Sequence, residues 1–129
     1  MLRRASLLGS ALAGLTVFSA CSSVHSTVQV TDDTIGEFTL GELQVMVDGT
    51  FADAYAAAKA ALEEQGLFLT GDERKVVEAV LTARDRADTQ ITVKLKEVAV
   101  GQTSVKIRYG LTGDAARSQA LFRTIARHL

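Results

Sequence analysis

The sequence predicts an α+β domain: a two-layer sandwich with two helices on one face of a four- to five-stranded antiparallel sheet, in the order β-α-β-β-β-β-α. Two periodicities predict it. Apolar residues spaced by three and four mark two segments of about 15 residues, and alternation of apolar and polar residues marks the stretches before and between them. The breaks between those stretches are short and rich in Gly and Asp, so successive strands join as hairpins and pair antiparallel.

The chain begins with Arg3 and Arg4 and an apolar run from Leu7 to Phe18, the layout of a secretory signal. A dozen apolar residues are too few to span a bilayer, which needs ~20. Phe18, Ser19 and Ala20 then lead to Cys21, the one cysteine in the chain. Small residues before a cysteine at the end of an apolar run form the lipobox cleaved by the bacterial lipoprotein signal peptidase. Residues 1–20 are therefore read as a lipoprotein signal peptide and Cys21 as the lipidated residue. Lipidation also accounts for a lone thiol in an exported chain, where no internal disulfide can form. Residues 21–37 are read as the lipidated cysteine and a flexible tether, with a short edge strand through Val28 and Val30 as the alternative. Residues 38–129 are the α+β domain.

Within the domain, Leu43, Val45 and Val47 alternate with Glu42, Gln44, Met46 and Asp48, the pattern of a half-buried strand starting near Phe38. Thr50, with Asp53 three residues on, makes a capping-box arrangement that opens a helix from Phe51 to about Gln65. Phe51, Ala54, Tyr55, Ala58, Ala61 and Leu62 form its apolar stripe. The alanines keep that face thin enough to approach a sheet closely, and Gly66 suits the left-handed residue past the helix end. Strands are expected at 67–70, 76–84, 89–98 and 103–109, broken at Gly71-Asp72, at 85–88 and at Val100-Gly101-Gln102. In the last pair Ile91, Val93 and Leu95 share a face with Val105, Ile107 and Tyr109, which puts Lys94, Lys96, Lys106 and Arg108 on the other. A closing helix over 114–128, capped by Thr112 or Asp114, buries Ser118, Leu121, Phe122, Ile125 and Leu129.

The chain has 14 Lys plus Arg against 15 Asp plus Glu, and loss of Arg3 and Arg4 makes the mature form more acidic. Such a balance gives no bulk attraction to nucleic acid. His25 lies in the tether and His128 at the far terminus, each without a catalytic partner on its own element. No paired metal-ligand spacing, glycine-rich phosphate loop or Gly-x-Ser-x-Gly turn occurs. The reading is a non-enzyme with no metal and no cofactor. Asp114, Ser118 and Arg108 form the most site-like group, but helix capping by Asp114 and close packing at the small Ser118 explain them without a ligand. Lys94, Lys96, Lys106 and Arg108 are the candidate anion-contacting residues, facing anionic headgroups or a polyanionic envelope polymer. A solvated surface is the simpler account of the same stripe.

Cys21, the helix words Phe51-Ala52-Asp53-Ala54-Tyr55 and Ala61-Leu62-Glu63-Glu64-Gln65-Gly66-Leu67, and Ile107-Arg108-Tyr109-Gly110 with Gly113-Asp114 and Ser118 carry a resemblance over nearly the whole chain. It resembles a family of small bacterial lipoproteins known as a domain of unknown function, thirty-five sixty-eight. The resemblance implies no activity that can be carried over. Ser22, where an aspartate would retain enteric lipoproteins at the inner membrane, implies by likeness to them the periplasmic face of the outer membrane. The expectation is a lipid-anchored cell-envelope protein, bearing palmitate at Cys21, that works as a binding or scaffolding module. Its partners would be the membrane, through Cys21, and an envelope protein or polymer. The alternative is a carrier of a small amphiphile in a pocket between helix and sheet.

Overall fold

The computed structural model describes residues 26–30 and 35–129. Along them run β1 (Ser26–Gln29), β2 (Ile35–Thr39), β3 (Glu42–Asp48), α1 (Phe51–Glu64), β4 (Phe68–Arg74), β5 (Glu78–Arg84), β6 (Gln90–Ala99), β7 (Gln102–Tyr109) and α2 (Ala115–Arg127). The strands form one sheet in the order β1-β2-β3-β7-β6-β5-β4, with every neighbouring pair antiparallel.

The α+β class stands, but the sheet has seven strands rather than four or five. The two additional strands precede β3. β1, four residues through Val28, is the short edge strand that stood as the alternative to the tether, and β2, with five residues, is too short for its alternation to register. The turn that joins β2 to β3, Leu40-Gly41, also lacks the Asn-Gly or Asp-Gly signature of a hairpin. So residues 26–29 and 35–37, within the segment read as tether, pair in the sheet, and Val30 just beyond β1 is fully buried. Gly36 stands inside β2 because a Cβ there would come within 2.6 Å of Val30 Cγ2 and 2.9 Å of Val45 Cγ2. Gly71-Asp72, expected as a turn, lies instead within β4, where the register shifts between Leu69 and Gly71. A bulge is where a strand tolerates glycine.

The pairing aligns apolar side chains in rows across the sheet. Leu43, Ile107, Val93 and Leu81 make one row, and Val45, Val105, Leu95 and Ala79 the next. Both helices cover this face: α1 packs on β4 to β7, α2 on β3 and β7, and the two helices touch each other. Ala54, Ala57, Ala58 and Ala61 bring α1 down onto the sheet, while Leu121, Phe122 and Ile125 fill the space under α2. Each large aliphatic or aromatic chain so buried contributes roughly 1.5–3 kcal/mol. The helix ends follow their local signals. Thr50 Oγ1 accepts from Asp53 N at 3.2 Å, Asp114 Oδ1 accepts from Arg117 N at 3.0 Å, and Leu67 N closes α1 onto Leu62 O at 2.9 Å. Among the described residues no helix covers the opposite face of the sheet, which holds the charged half of each alternating strand.

Candidate functional site

The open sheet face gathers the cations that alternation places there. Lys94 and Lys106 sit directly across from each other on β6 and β7, Arg108 is opposite Thr92, and Lys96 is opposite Ser104 on one side and Glu78 on the other. Glu42 Oε2 lies 4.0 Å from Lys94 Nζ, so one end of the stripe is partly neutralised. Gln44, Glu78, Lys94, Lys96 and Lys106 line a shallow groove of about 370 Å³. Like charges directly opposite repel, and an anion lying between them would relieve that repulsion.

Arg108 behaves differently from the lysines. Its Nη2 donates to Leu40 O at 2.9 Å, in the β2–β3 turn, and its Nη1 donates to Leu111 O at 3.4 Å, in the loop before α2. One guanidinium thus ties two loops together. Asp114, Ser118 and Arg108 do not meet as a site: the aspartate caps α2, the arginine holds the two loops, and Ser118 is buried with its Oγ unpartnered. His128 pairs through Nε2 with Glu64 Oε2 at 2.8 Å, a bond that holds the Glu64 carboxyl below its usual range. Cys21 and His25 lie outside the described residues.

Two polar clusters escape sequence reasoning. The Tyr55 hydroxyl donates to Asp72 Oδ2, Lys59 Nζ sits 3.3 Å from the same oxygen, and the Arg74 guanidinium stacks 4.6 Å from the centre of the Tyr55 ring. The Tyr55 hydrogen bond is the main force lowering the Asp72 carboxyl, and the same bond raises the phenol. At the β5–β6 turn, Asp85 Oδ1 accepts from Ala87 N and Thr89 N, each at 2.9 Å, while Oδ2 accepts from the Tyr109 hydroxyl at 3.2 Å. The Thr89 N–H, foremost among these, holds the Asp85 carboxyl below its usual range, and burial is the chief cause raising the Tyr109 phenol. Each cluster joins a helix or a turn to the sheet. The sequence signals were there but read as local: Asp72 as a turn residue, Asp85 as a break, and Tyr55 and Tyr109 as core.

A third feature is a cleft of about 660 Å³ on the flank of α1, lined by Leu62, Leu67, Phe68 and Leu69, with Lys59 and Arg86 also in its wall. Phe68 is 62% exposed there. The cleft lies beside the interface between α1 and the sheet. That interface itself is filled by side chains such as Ala58, Ala61, Ile91 and Val93, each fully buried. Among the described residues, no group of three or more His, Cys, Asp and Glu is placed to hold a metal ion, and no helix is long and apolar enough to cross a membrane.

Residues 5–128 match the model of a family described as "Protein of unknown function (DUF3568)". A search of curated proteins finds no match.

Proposed function

The chain belongs to this DUF3568 family of proteins of unknown function, and from that premise we propose that it is a lipid-anchored binding or scaffolding module of the cell envelope. Cys21 carries the anchor, at the periplasmic face of the outer membrane. The observation that favours binding over carriage or catalysis is the packing of the two layers. The space between helices and sheet is closed by fully buried side chains, and the polar residues nearest to a site, Asp114, Arg108, Asp85 and Asp72, are all held in bonds that secure the fold. What remains available to a partner is surface, above all the open face with Lys94, Lys96 and Lys106, beside Arg108, facing an anionic envelope polymer or protein.

Support for the anchor is the local pattern Phe18-Ser19-Ala20-Cys21 behind an apolar run. One acyl chain holds a protein to a bilayer only reversibly, whereas the two or three on a processed lipoprotein cysteine hold it for the life of the cell. Wild-type protein is expected to incorporate labelled palmitate and to fractionate with outer membranes. Cys21→Ser is expected to give uncleaved precursor or a soluble periplasmic product. Wild type found soluble and unlabelled would remove the reading.

The cleft beside α1 favours a second reading, carriage of a small amphiphile. Its floor is apolar, and Lys59 and Arg86 would meet an anionic head. A fluorescent fatty acid that binds the wild type and is lost from Phe68→Asp would favour the carrier. No binding by wild type would leave the scaffold.

A further inference from the structure

We infer that the end of the sheet bearing Leu40 and Leu111 rests on the lipid bilayer, with both leucines in its interfacial layer. The inference rests on the lipid anchor proposed at Cys21 and adds the orientation of the domain and the residues that touch lipid.

The path of the chain gives the first argument. β1 begins at Ser26, which pairs with Phe38, two residues before the Leu40-Gly41 turn. The anchored end of the chain therefore enters the sheet at the end where Leu40 projects. Five residue steps separate Cys21 from Ser26, and at 3.3–3.6 Å each they reach at most ~18 Å. Ser26 is level with Leu43 and Ile107 through Phe38, and from Ile107 the β6–β7 turn at Val100 is seven steps away, about 23 Å at ~3.3 Å each. The anchor is thus too short to come level with the opposite end of the sheet, and the Leu40 end is held close to the membrane.

The second argument comes from the two loops. Leu40 is 88% and Leu111 95% exposed. Leu40 also has a φ of +51°, in a hairpin turn whose left-handed positions favour Asn, Asp or Gly. Leucine at such a position breaks two local rules at once, backbone preference and burial, and its bond from Arg108 goes to the backbone carbonyl, which any residue would offer. Violations of that kind mark positions selected for something other than the fold. Arg108 then fixes the pair, since the carbonyl oxygens it holds belong to Leu40 and Leu111 themselves. Two leucines held side by side, at the end nearest two or more acyl chains, match the chemistry of the acyl–headgroup boundary, where apolar side chains bury to shallow depth. The remaining strongly exposed aliphatics, Val76 and Val100, are in turns at the opposite end of the sheet. The open basic face then stands across the membrane normal, directed at a partner alongside the domain.

The test uses the full chain, processed in cells, purified, and reconstituted into vesicles of phosphatidylethanolamine and phosphatidylglycerol. Acylation blocks the Cys21 sulfur, so a nitroxide label on Leu40→Cys, Leu111→Cys, Val76→Cys or Val100→Cys reports one site each. Mass spectrometry of the amino-terminal peptide verifies the acylation. Collision of the label with oxygen, which concentrates in lipid, is compared with collision with a water-soluble nickel complex. Labels at 40 and 111 are expected to favour oxygen several-fold relative to those at 76 and 100. Acylated protein with all four labels favouring nickel, or with 76 and 100 immersed instead, would overturn the orientation and leave the anchor standing. An amino-terminal peptide without lipid would overturn both.

Discussion

A methyl group at position 113 should damage this domain more than its single added carbon implies. Gly113 has a φ of +83°, and a Cβ there would lie 2.1 Å from Gly41 O and 2.3 Å from Gly41 Cα. An alanine in the left-handed region carries about 1–2 kcal/mol of intrinsic penalty. The neighbouring atoms are backbone, so no side chain can swing aside. Contact distances of about 3.5–4.0 Å between carbon atoms can be restored only by moving the β2–β3 turn away from the loop before α2. That movement pulls Leu40 O from Arg108 Nη2, now 2.9 Å apart, and a hydrogen bond to a charged group contributes about 1.5–3 kcal/mol. The expected loss for Gly113→Ala is about 3–5 kcal/mol, a large share of the ~5–15 kcal/mol that holds a small domain. Gly101→Ala is the control, since Gly101 has a φ of +72° with no atom within 4 Å of the added Cβ, and it should lose only the ~1–2 kcal/mol backbone penalty. Urea unfolding of the chain from residue 21 onward, carrying Cys21→Ser, measures both. Equal midpoints for the two variants would refute the idea that the Gly41–Gly113 contact and the Arg108 clasp hold the two loops together.

Leu121→Ala removes a side chain only 2% exposed under α2 and should cost about 2–5 kcal/mol; a loss below half a kcal/mol in the same unfolding assay would contradict the packing of that helix. The Asp85 carboxyl is lowered in the fold by the N–H groups it accepts, so its contribution is present above the unfolded value of ~3.9 and fades as pH falls through the folded one. Asp85→Asn should therefore be less stable than wild type at neutral pH and show a shallower loss of stability below about pH 4; parallel acid limbs would show that Asp85 is not held in this way. Lys106 faces Lys94 across the strands, so Lys106→Gln should raise stability by about 0.2–1 kcal/mol at low ionic strength. The gain should vanish in 1 M salt, where the screening length is ~3 Å, and a gain that persists there would assign the effect to packing.

What the sequence determined by itself is whatever repeats within a few residues. The alternation of β3, β5, β6 and β7, the alanine stripe of α1, the stripe of α2 as far as Ile125, the Thr50 and Asp114 caps and the face shared by Lys94, Lys96, Lys106 and Arg108 all follow from periods of two or 3.6 and from hydrogen bonds closing over three residues, whereas Leu129, expected in the α2 stripe, lies past the helix and is 45% exposed. The lipobox reading is local in the same sense, since it rests on the four adjacent residues Phe18, Ser19, Ala20 and Cys21 and needs no fold. Tertiary structure decided the rest. β1 and β2 are too brief to show a period, and they become strands because β3 has an open edge for them to pair with and Val30 has a core to enter. Tyr55 meets Asp72 across 17 residues of chain, and Arg108 meets Leu40 across 68, so no local pattern pairs them. The same holds for Ile107-Arg108-Tyr109-Gly110, a word visible in the sequence whose reason appears only when Arg108 reaches two loops and Tyr109 reaches Asp85. A side chain's face is set by its neighbours along the chain, but its partner is set by which strands lie side by side, and that is a property of the whole sheet.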